Sequence, residues 1–169
     1  MPLKKIAFLG ISLALMIALS MLESLLVASF IFLPPHFKLG LANIVVMYCV
    51  LCIGRPHAVF LNMLKSLFIF VIRGPMAGAL SLSGGLLSIL AIILLTSLFS
   101  KNKISYSIIS ICGAVAHNLG QYAIVIPIMS LTMPYLLYYF PILIVSGIVM
   151  GILTGIILKV LMPIVLDRF

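Results

Sequence analysis

Acidic residues are almost absent from this chain: two of its 169 residues are Asp or Glu, against ten that are Lys or Arg. Charged residues of both signs make up only 7% of the sequence, and tryptophan is missing altogether. A soluble domain of this size could not cover its surface with so few charges. The shortage of carboxylates also argues against catalysis on a metal-bound diphosphate. Such sites hold Mg²⁺ through clustered oxygen ligands, and Glu23 and Asp167 lie far apart in the sequence.

Cysteine is scarce as well. Cys49 and Cys52 have the C-x-x-C spacing, but they lie inside an apolar stretch that has no second pair, and Cys112 stands alone. The sequence therefore predicts three small, buried hydrophobic residues, with no metal site and no cofactor.

Hydrophobic residues, by contrast, make up 65% of the sequence, in runs long enough to cross a bilayer as helices. Basic, glycine and proline residues interrupt the runs, as at Pro34-Pro35. We predict an all-α, polytopic membrane protein, a single domain over residues 1–169 that forms a six-helix transmembrane bundle. The second span is only about 22 Å long, so we expect it to be shielded in part by protein. The predicted spans are residues 6–33, 39–53, 57–72, 78–99, 104–131 and 134–161.

The net charge of +8 does not indicate nucleic-acid binding, because the basic residues are scattered between the apolar runs. Basic residues that flank spans are topology signals and concentrate on the cytoplasmic side. With a cytoplasmic N-terminus, Lys38 and Arg73 fall outside, and a larger group falls inside. The sequence therefore predicts that both termini are cytoplasmic. The inner group is Lys4, Lys5, Arg55, Lys101, Lys103, Lys159 and Arg168.

Polar residues within the spans are few, and their densest group is the stretch Gly113-Ala-Val-Ala-His117-Asn118-Leu-Gly120-Gln121. His117 and Gln121 are one helical turn apart and share a face, while Asn118 points about 100° away. Buried polar groups need partners. Two interpretations are open: these side chains tie the helices together, or they line a ligand cavity, as polar residues inside membranes often do.

With the predicted topology, the polar residues of the spans lie between the midplane and the outer surface, which predicts a pocket open to the outside. The cations among them favour an anionic or acceptor-rich ligand. An interfacial aromatic belt is the simpler interpretation of Tyr138 and Tyr139, although they could also cover an apolar part of the ligand. The predicted ligand-binding residues are Lys38, Asn43, Lys65, Arg73, His117, Asn118 and Gln121.

Glu23 is the carboxylate that falls within a predicted span. A charge in the membrane interior is costly, so we expect Glu23 to pair with Lys65 or with His117 near the floor of the pocket. Alternatively, its side chain extends outward to solvent or to Lys38.

Small residues recur at every fourth position on two of the spans, which lets helices approach closely. The first span has such a stripe at Gly10, Ala14 and Ala18. The sixth has one at Gly147, Gly151 and Gly155. Packing within the bundle is the simpler explanation for the sixth span, whereas for the first we favour contact with an external partner.

Three motifs give the chain a resemblance to a known family: Lys38-Leu-Gly-Leu-Ala-Asn43, Ser81-Leu-Ser-Gly-Gly-Leu-Leu-Ser88 and the stretch 113–121. The chain resembles the Gx family of small bacterial membrane proteins, often labelled heptaprenyl diphosphate synthase component I. That family is similar in turn to the substrate-binding S components of energy-coupling factor (ECF) transporters. The resemblance extends from the first span to the sixth.

The resemblance implies a six-helix protein of the bacterial plasma membrane that binds one small ligand at its outer face, under the loop between the first two spans. It also implies a coupling membrane subunit and two cytoplasmic ATPases as partners, so that ATP hydrolysis takes place only in other chains. S components carry an Ala-x-x-x-Ala patch on the first helix that docks on the coupling subunit, and Ala14 and Ala18 match it.

We therefore expect a binding protein and not an enzyme: an S component that captures a small anionic or amphipathic metabolite. The alternative is a non-catalytic membrane subunit associated with heptaprenyl diphosphate synthase and isoprenoid-quinone metabolism. The sequence has no G-x-x-x-x-G-K-[ST] loop that would bind a phosphate. A stand-alone secondary transporter is the least favoured, because no inverted repeat is visible.

Overall fold

The computed structural model describes residues 3–28, 40–99, 105–129 and 133–166, and every regular element in these ranges is helical. This agrees with the all-α prediction. The second helix is short, and it continues as a π-helix over Cys49–Ile53. The α-helices are α1 (Leu3–Ala28), α2 (Asn43–Tyr48), α3 (Arg55–Arg73), α4 (Pro75–Leu98), α5 (Tyr106–Met129) and α6 (Met133–Leu166).

Five helices of the described chain, α1 and α3 to α6, are long and apolar enough to cross a membrane. In place of the span predicted at residues 39–53 there is only α2, of six residues, and its π-helical continuation, of five. Their combined length of about 16 Å is too short for the hydrocarbon core, so six full spans are not confirmed. Protein does shield α2, because Asn43, Ile44, Val45, Val46 and Met47 are all buried.

Two contacts show that α2 runs antiparallel beside α1. The backbone N–H of Leu41, just before α2, donates a hydrogen bond to Oε1 of Glu23, with an N···O distance of 2.7 Å. At the end of α2, the ring centroid of Tyr48 lies 5.7 Å from that of Phe8. Because Glu23 and Phe8 are about 22 Å apart along α1, the order of these two contacts gives the second helical segment the opposite direction to α1, over part of the length of α1.

Glycines with positive φ separate the next three elements. Gly54 (φ 135°) lies between the π-helix and α3, and Gly74 (φ 88°) is the single residue between α3 and α4. Few other residues adopt such angles. A proline follows in the first turn of each helix, where its missing N–H costs nothing. α3 and α4 form an antiparallel pair, since Arg55 at the start of α3 donates a hydrogen bond to Ser97 near the end of α4, at 3.0 Å.

The glycine stripe of α6 packs within the bundle, in agreement with the simpler of its two explanations. A Cβ atom at Gly151 would lie 2.5 Å from Cα of Ile111, and one at Gly155 would lie 2.8 Å from Cα of Ser107. Any side chain at these positions would force α5 and α6 apart. The small residues therefore let the two backbones touch.

The small-residue stripe of α1 is on the opposite side of that helix from the bundle. Gly10, Ala14 and Ala18 are all exposed, and nothing in the described chain lies within 4 Å of the place that a Cβ atom at Gly10 would take. Contact of this stripe with an external partner stays a prediction. The face that α1 does bury against its neighbours includes Ser12, Met16, Ser20 and Glu23.

The apolar core surrounds α2 and fills one end of the bundle. On α3, its members Ala58 and Leu61 come before the polar residues of the helix, and on α4 its members Ile89 and Ile92 come after them. The polar interior therefore lies nearer to the hairpin between α3 and α4. The α2 segment contributes Ile44, Val45, Val46, Met47, Cys49 and Val50 to the core.

Candidate ligand-binding site

The interior face of α4 is built from small residues. Ser81, Gly84, Gly85 and Ser88 share one face by their helical spacing, and all four are buried. Gly84 and Gly85 point about 100° apart, and the two serines point between them. We call these four residues the α4 floor. Since its centre has no side chains, polar groups of neighbouring helices can approach the α4 backbone closely.

Polar pairs mark the two ends of the α4 floor. The hydroxyl of Ser88 donates a hydrogen bond to Oδ1 of Asn43 on α2, at 2.9 Å. The hydroxyl of Ser66 on α3 donates to that of Ser81, at 3.3 Å. Both pairs are buried, so each satisfies polar groups that would be costly alone. Asn43, which was predicted from the sequence, is thus part of this interior.

His117 and Gln121 of α5 lie against Gly84, at the centre of the floor. Their Nε2 atoms are 3.2 Å apart, and each side chain is 6% exposed. A Cβ atom at Gly84 would come within 2.9 Å of both residues. The two side chains therefore share an interior face, as their spacing predicts, and a glycine at position 84 makes room for them.

Asn62 of α3 lies against Gly85 and is completely buried. Its Nδ2 donates a hydrogen bond to the backbone carbonyl of Leu82, at 3.4 Å. Asn62 is not among the residues predicted from the sequence, although its spacing could have identified it. It precedes Lys65 by three residues and therefore shares that residue's face of α3.

The two charges expected inside the membrane, Lys65 and Glu23, are both buried, at 4% and 3% exposure. Lys65 is on the same buried face of α3 as Asn62 and Ser66. The alternative in which Glu23 extends to solvent is excluded by its burial, and its Oε1 accepts the hydrogen bond from Leu41. Lys38 lies outside the described residues, so an ion pair of Glu23 with Lys65, His117 or Lys38 stays a prediction.

Asn118 faces away from the α4 floor, because it points about 100° from His117. Its Nδ2 donates hydrogen bonds to the carbonyl of Leu143, at 2.8 Å, and to the hydroxyl of Ser146, at 3.1 Å, both on α6. The amide thus ties α5 to α6. Asn118 therefore fits the first interpretation of this stretch, in which its polar side chains tie the helices together.

Other predicted residues are apart from the α4 floor. Arg73 is the last residue of α3 and is exposed, about 12 Å along the helix from Lys65. Tyr138 is 72% exposed on α6, which fits an aromatic belt. Lys38 and the side chain of Tyr139 lie outside the described residues. Ligand binding by Arg73 and Lys38 therefore stays a prediction.

The cysteines differ from one another in their surroundings. Cys49 is buried, Cys112 is half-buried and Cys52 is exposed, which corrects the expectation that all three are interior. The π-helix turns Cys52 toward α6, where its Sγ lies 3.7 Å from Sδ of Met162. Within the described ranges, no three His, Cys, Asp or Glu side chains are placed to hold a metal ion together.

A groove of about 280 Å³ opens between α4 and α5. By helical spacing its α4 residues are on the opposite side of that helix from the α4 floor, so this groove is not the predicted pocket. Leu87 and Leu90 on its wall are exposed. A ligand pocket at the α4 floor stays a prediction. The groove is lined by Ser83, Leu86, Leu87, Leu90, Gly120, Ala123 and Ile124.

Comparison with known proteins shows which family the chain belongs to. A family model for heptaprenyl diphosphate synthase component I matches residues 11–161, which is most of the chain. The chain belongs to this family. The matched region contains the whole α4 floor and every residue described against it. No curated protein and no solved structure matches the chain.

Proposed function

We propose that this protein is the substrate-binding S component of an ECF-type importer. In this role it captures a small metabolite at the outer face of the bacterial plasma membrane and delivers it together with a coupling subunit and two ATPases. The observation that carries the proposal is the convergence of buried polar side chains from α2, α3 and α5 on the α4 floor.

A polar interior of this kind is expensive for a bundle that only has to hold together. Each buried polar group without a partner costs about 1–3 kcal/mol, and a charge at the centre of a membrane helix costs about 2.5–3.5 kcal/mol. The contact between α5 and α6 shows that this chain can pack helices through glycines such as Gly151. The burial of Lys65 on α3 and the pairing of His117 with Gln121 at the α4 floor therefore support binding as well as packing.

The charges of the region indicate the ligand class. Lys65 places a cation on the buried face of α3, beside Asn62 and Ser66, and Arg73 and Lys38 are predicted to lie farther out. Cations and hydrogen-bond donors in a low-dielectric interior favour a carboxylate or a phosphate. Apolar walls such as Ile69 on the same face of α3 suit an amphipathic molecule.

The outer face of α1 supports the proposed coupling partner. Ala14 and Ala18 are exposed, and small residues at this spacing let a second helix approach closely. The bundle offers no cover for them within the described chain. A docked membrane subunit would bury this face.

The family name favours a second role, that of a non-catalytic membrane partner of heptaprenyl diphosphate synthase. The two carboxylates of this chain are fewer than catalysis on a prenyl diphosphate would require. Glu23 is buried and engaged by the backbone of Leu41, and Asp167 is far from it in the sequence. A prenyl diphosphate site needs several such groups around Mg²⁺. In both roles the chain is proposed not to be an enzyme.

Native mass spectrometry of the protein, purified in mild detergent, tests the proposed function. We expect the wild-type protein to retain a small molecule, seen as a mass that is lost on denaturation. His117→Ala and Gln121→Ala should each weaken its binding at least tenfold, which corresponds to about 1.4 kcal/mol. The matched control is Ser110→Ala, because Ser110 is buried on the same helix but bonds to Thr154 of α6.

Co-purification separates the two roles. A coupling subunit and two ATPases recovered with the tagged protein would support the importer. Chain elongation of a prenyl diphosphate that requires this protein in a reconstituted mixture would support the second role instead. A wild-type protein that retains no small molecule and recovers no coupling subunit would overturn the proposal.

A further inference from the structure

Asn62 holds a hydrogen-bond acceptor at the α4 floor that the protein does not use. The residue is 0% exposed, and among the described residues no donor reaches its Oδ1 atom. The orientation of the amide is assigned from the carbonyl of Leu82, which Nδ2 faces at 3.4 Å, since the reverse orientation would bring two oxygens together.

The Oδ1 atom of Asn62 lies against Gly85 of the α4 floor. A Cβ atom at Gly85 would overlap the amide of Asn62, so the glycine is what allows the amide to reach the floor. Gly84, the next residue, faces His117 and Gln121 in the same way. The acceptor of Asn62 and the imidazole–amide pair of α5 therefore flank one pair of glycines.

Packing alone does not explain an asparagine here. The hydrogen bond to Leu82 is 3.4 Å long, beyond the usual range of 2.7–3.2 Å for such bonds, and a buried acceptor without a donor costs about 1–3 kcal/mol. A leucine has nearly the same shape and would fill the space without this cost. The unsatisfied Oδ1 lies against Gly85 of the α4 floor, and a buried group that lowers stability is typical of a binding site.

We propose that Asn62 is a recognition residue of the ligand site, and that its Oδ1 accepts a hydrogen bond from the ligand. The inference rests on the proposed function and narrows the substrate class. The ligand carries a hydroxyl, amide N–H or ammonium donor in addition to the acceptor-rich group that Lys65 favours. A molecule with acceptors alone would leave Oδ1 unsatisfied in the bound state.

Such a contact provides specificity. A site that is built to bond a donor on the substrate discriminates strongly against an analogue that lacks it, because a buried polar group is then left without a partner. In this protein the discrimination falls on a donor of the ligand, since the unsatisfied group of Asn62 is an acceptor.

The test uses Asn62→Leu and Asn62→Ala, with the small molecule that stays bound to the wild-type protein through purification as the probe. Asn62→Leu should keep or raise the melting temperature of the protein freed of this molecule, since it removes an unsatisfied acceptor. Both variants should bind the molecule at least tenfold more weakly than the wild type. The Asn118→Leu control should instead lower the melting temperature, because it removes two hydrogen bonds to α6.

A second readout uses matched analogues of the retained molecule in which the donor is methylated. The wild type should prefer the parent molecule at least tenfold, and Asn62→Leu should lose this preference. Binding and preference equal to the wild type in both variants, with His117→Ala still defective, would overturn the role of Asn62 and leave the proposed function intact. A wild-type protein without any retained molecule would overturn both.

Discussion

Glu23 on α1 accepts a hydrogen bond from the backbone N–H of Leu41, which lies 18 positions later in the chain, at 2.7 Å. Leu41 is two residues before Asn43, and the amide oxygen of Asn43 accepts a hydrogen bond from Ser88 of the α4 floor. A continuous series of contacts therefore joins α1, the start of α2 and α4. The position of α2 in the bundle depends on a side chain from a different helix.

Replacing Glu23 by alanine should loosen the start of α2. A hydrogen bond to a charged group contributes about 1.5–3 kcal/mol, so we expect Glu23→Ala to lower the free energy of unfolding by this amount, measured by denaturation in detergent. Hydrogen exchange at the Leu41 amide should become faster. Ser24→Ala is the control, since Ser24 bonds only to the carbonyl of Met21 in its own helix among the contacts described here. Equal effects of both variants would contradict the prediction.

The predicted ion pair of Glu23 is testable by a double-mutant cycle. Both Glu23 and Lys65 are buried, and removing one of two interacting charges leaves the other uncompensated. If they interact, Glu23→Gln and Lys65→Met combined should destabilise the protein by less than the sum of the single changes, with a coupling above about 0.5 kcal/mol. If the effects of the two substitutions are additive, Lys65 is not the partner of Glu23. The same cycle with His117→Ala in place of Lys65→Met then tests the other candidate.

A methyl group at Gly151 should separate α5 from α6. Its Cβ atom would lie 2.5 Å from Cα of Ile111, which is backbone and cannot rotate away. Such overpacking costs about 1–3 kcal/mol, so we expect a lower melting temperature for Gly151→Ala. Gly10→Ala on α1 is the matched control, because the space beside it is open. Alanine is preferred over glycine in helices by up to about 1 kcal/mol, so this variant should be neutral or more stable.

The small-residue face of α1 should matter for assembly and not for folding. Ala18 is exposed, so we expect Ala18→Leu to leave the melting temperature unchanged while it reduces recovery of the coupling subunit in pull-down at least tenfold. Ala123→Leu places the same side chain on an exposed position of α5 and should retain the partner. If both variants lose the partner, or if neither does, the coupling subunit does not bind specifically at this face.

The course of α2 predicts the topology. Since α2 runs antiparallel to α1, with Leu41 bonded to Glu23 and Tyr48 beside Phe8, the second segment is directed toward the side of the membrane where α1 begins, even though α2 is short. We therefore expect reporter domains fused to the N-terminus and to the C-terminus to be on the same, cytoplasmic side. Reporters on opposite sides would mean that α2 does not complete the crossing.

Spacing predicted the interior face of α5 correctly, because two residues one turn apart must share a face in any helix. The same rule places Asn62 on the face of Lys65. Asn62 was not predicted, because a neutral amide costs less to bury than a charge and is therefore a weaker signal of a functional site. The bond between Glu23 and Leu41 could not be predicted. Its donor is a backbone N–H, which every residue except proline has, and its position depends on the turn at Gly40 (φ 82°).

The length of α2 was overestimated for a similar reason. Residues 40–42 form a turn, so the helical segment begins at Asn43, and hydrophobicity alone does not distinguish a helix that spans lipid from a shorter segment enclosed by protein. The change to a π-helix at Cys49 has no evident signal in the residues themselves. Asn118 was predicted to bind the ligand because it is next to His117 in the sequence. Its side chain points instead to α6, where it bonds to the carbonyl of Leu143.

The overlap between Asn62 and any side chain at position 85 has an evolutionary consequence. These two sites are coupled: a homologue with alanine or serine in place of Gly85 needs a smaller residue in place of Asn62, a different rotamer of Asn62, or a wider separation of α3 and α4. Paired substitution at the two positions would thus mark the members of the family whose substrate preference has diverged.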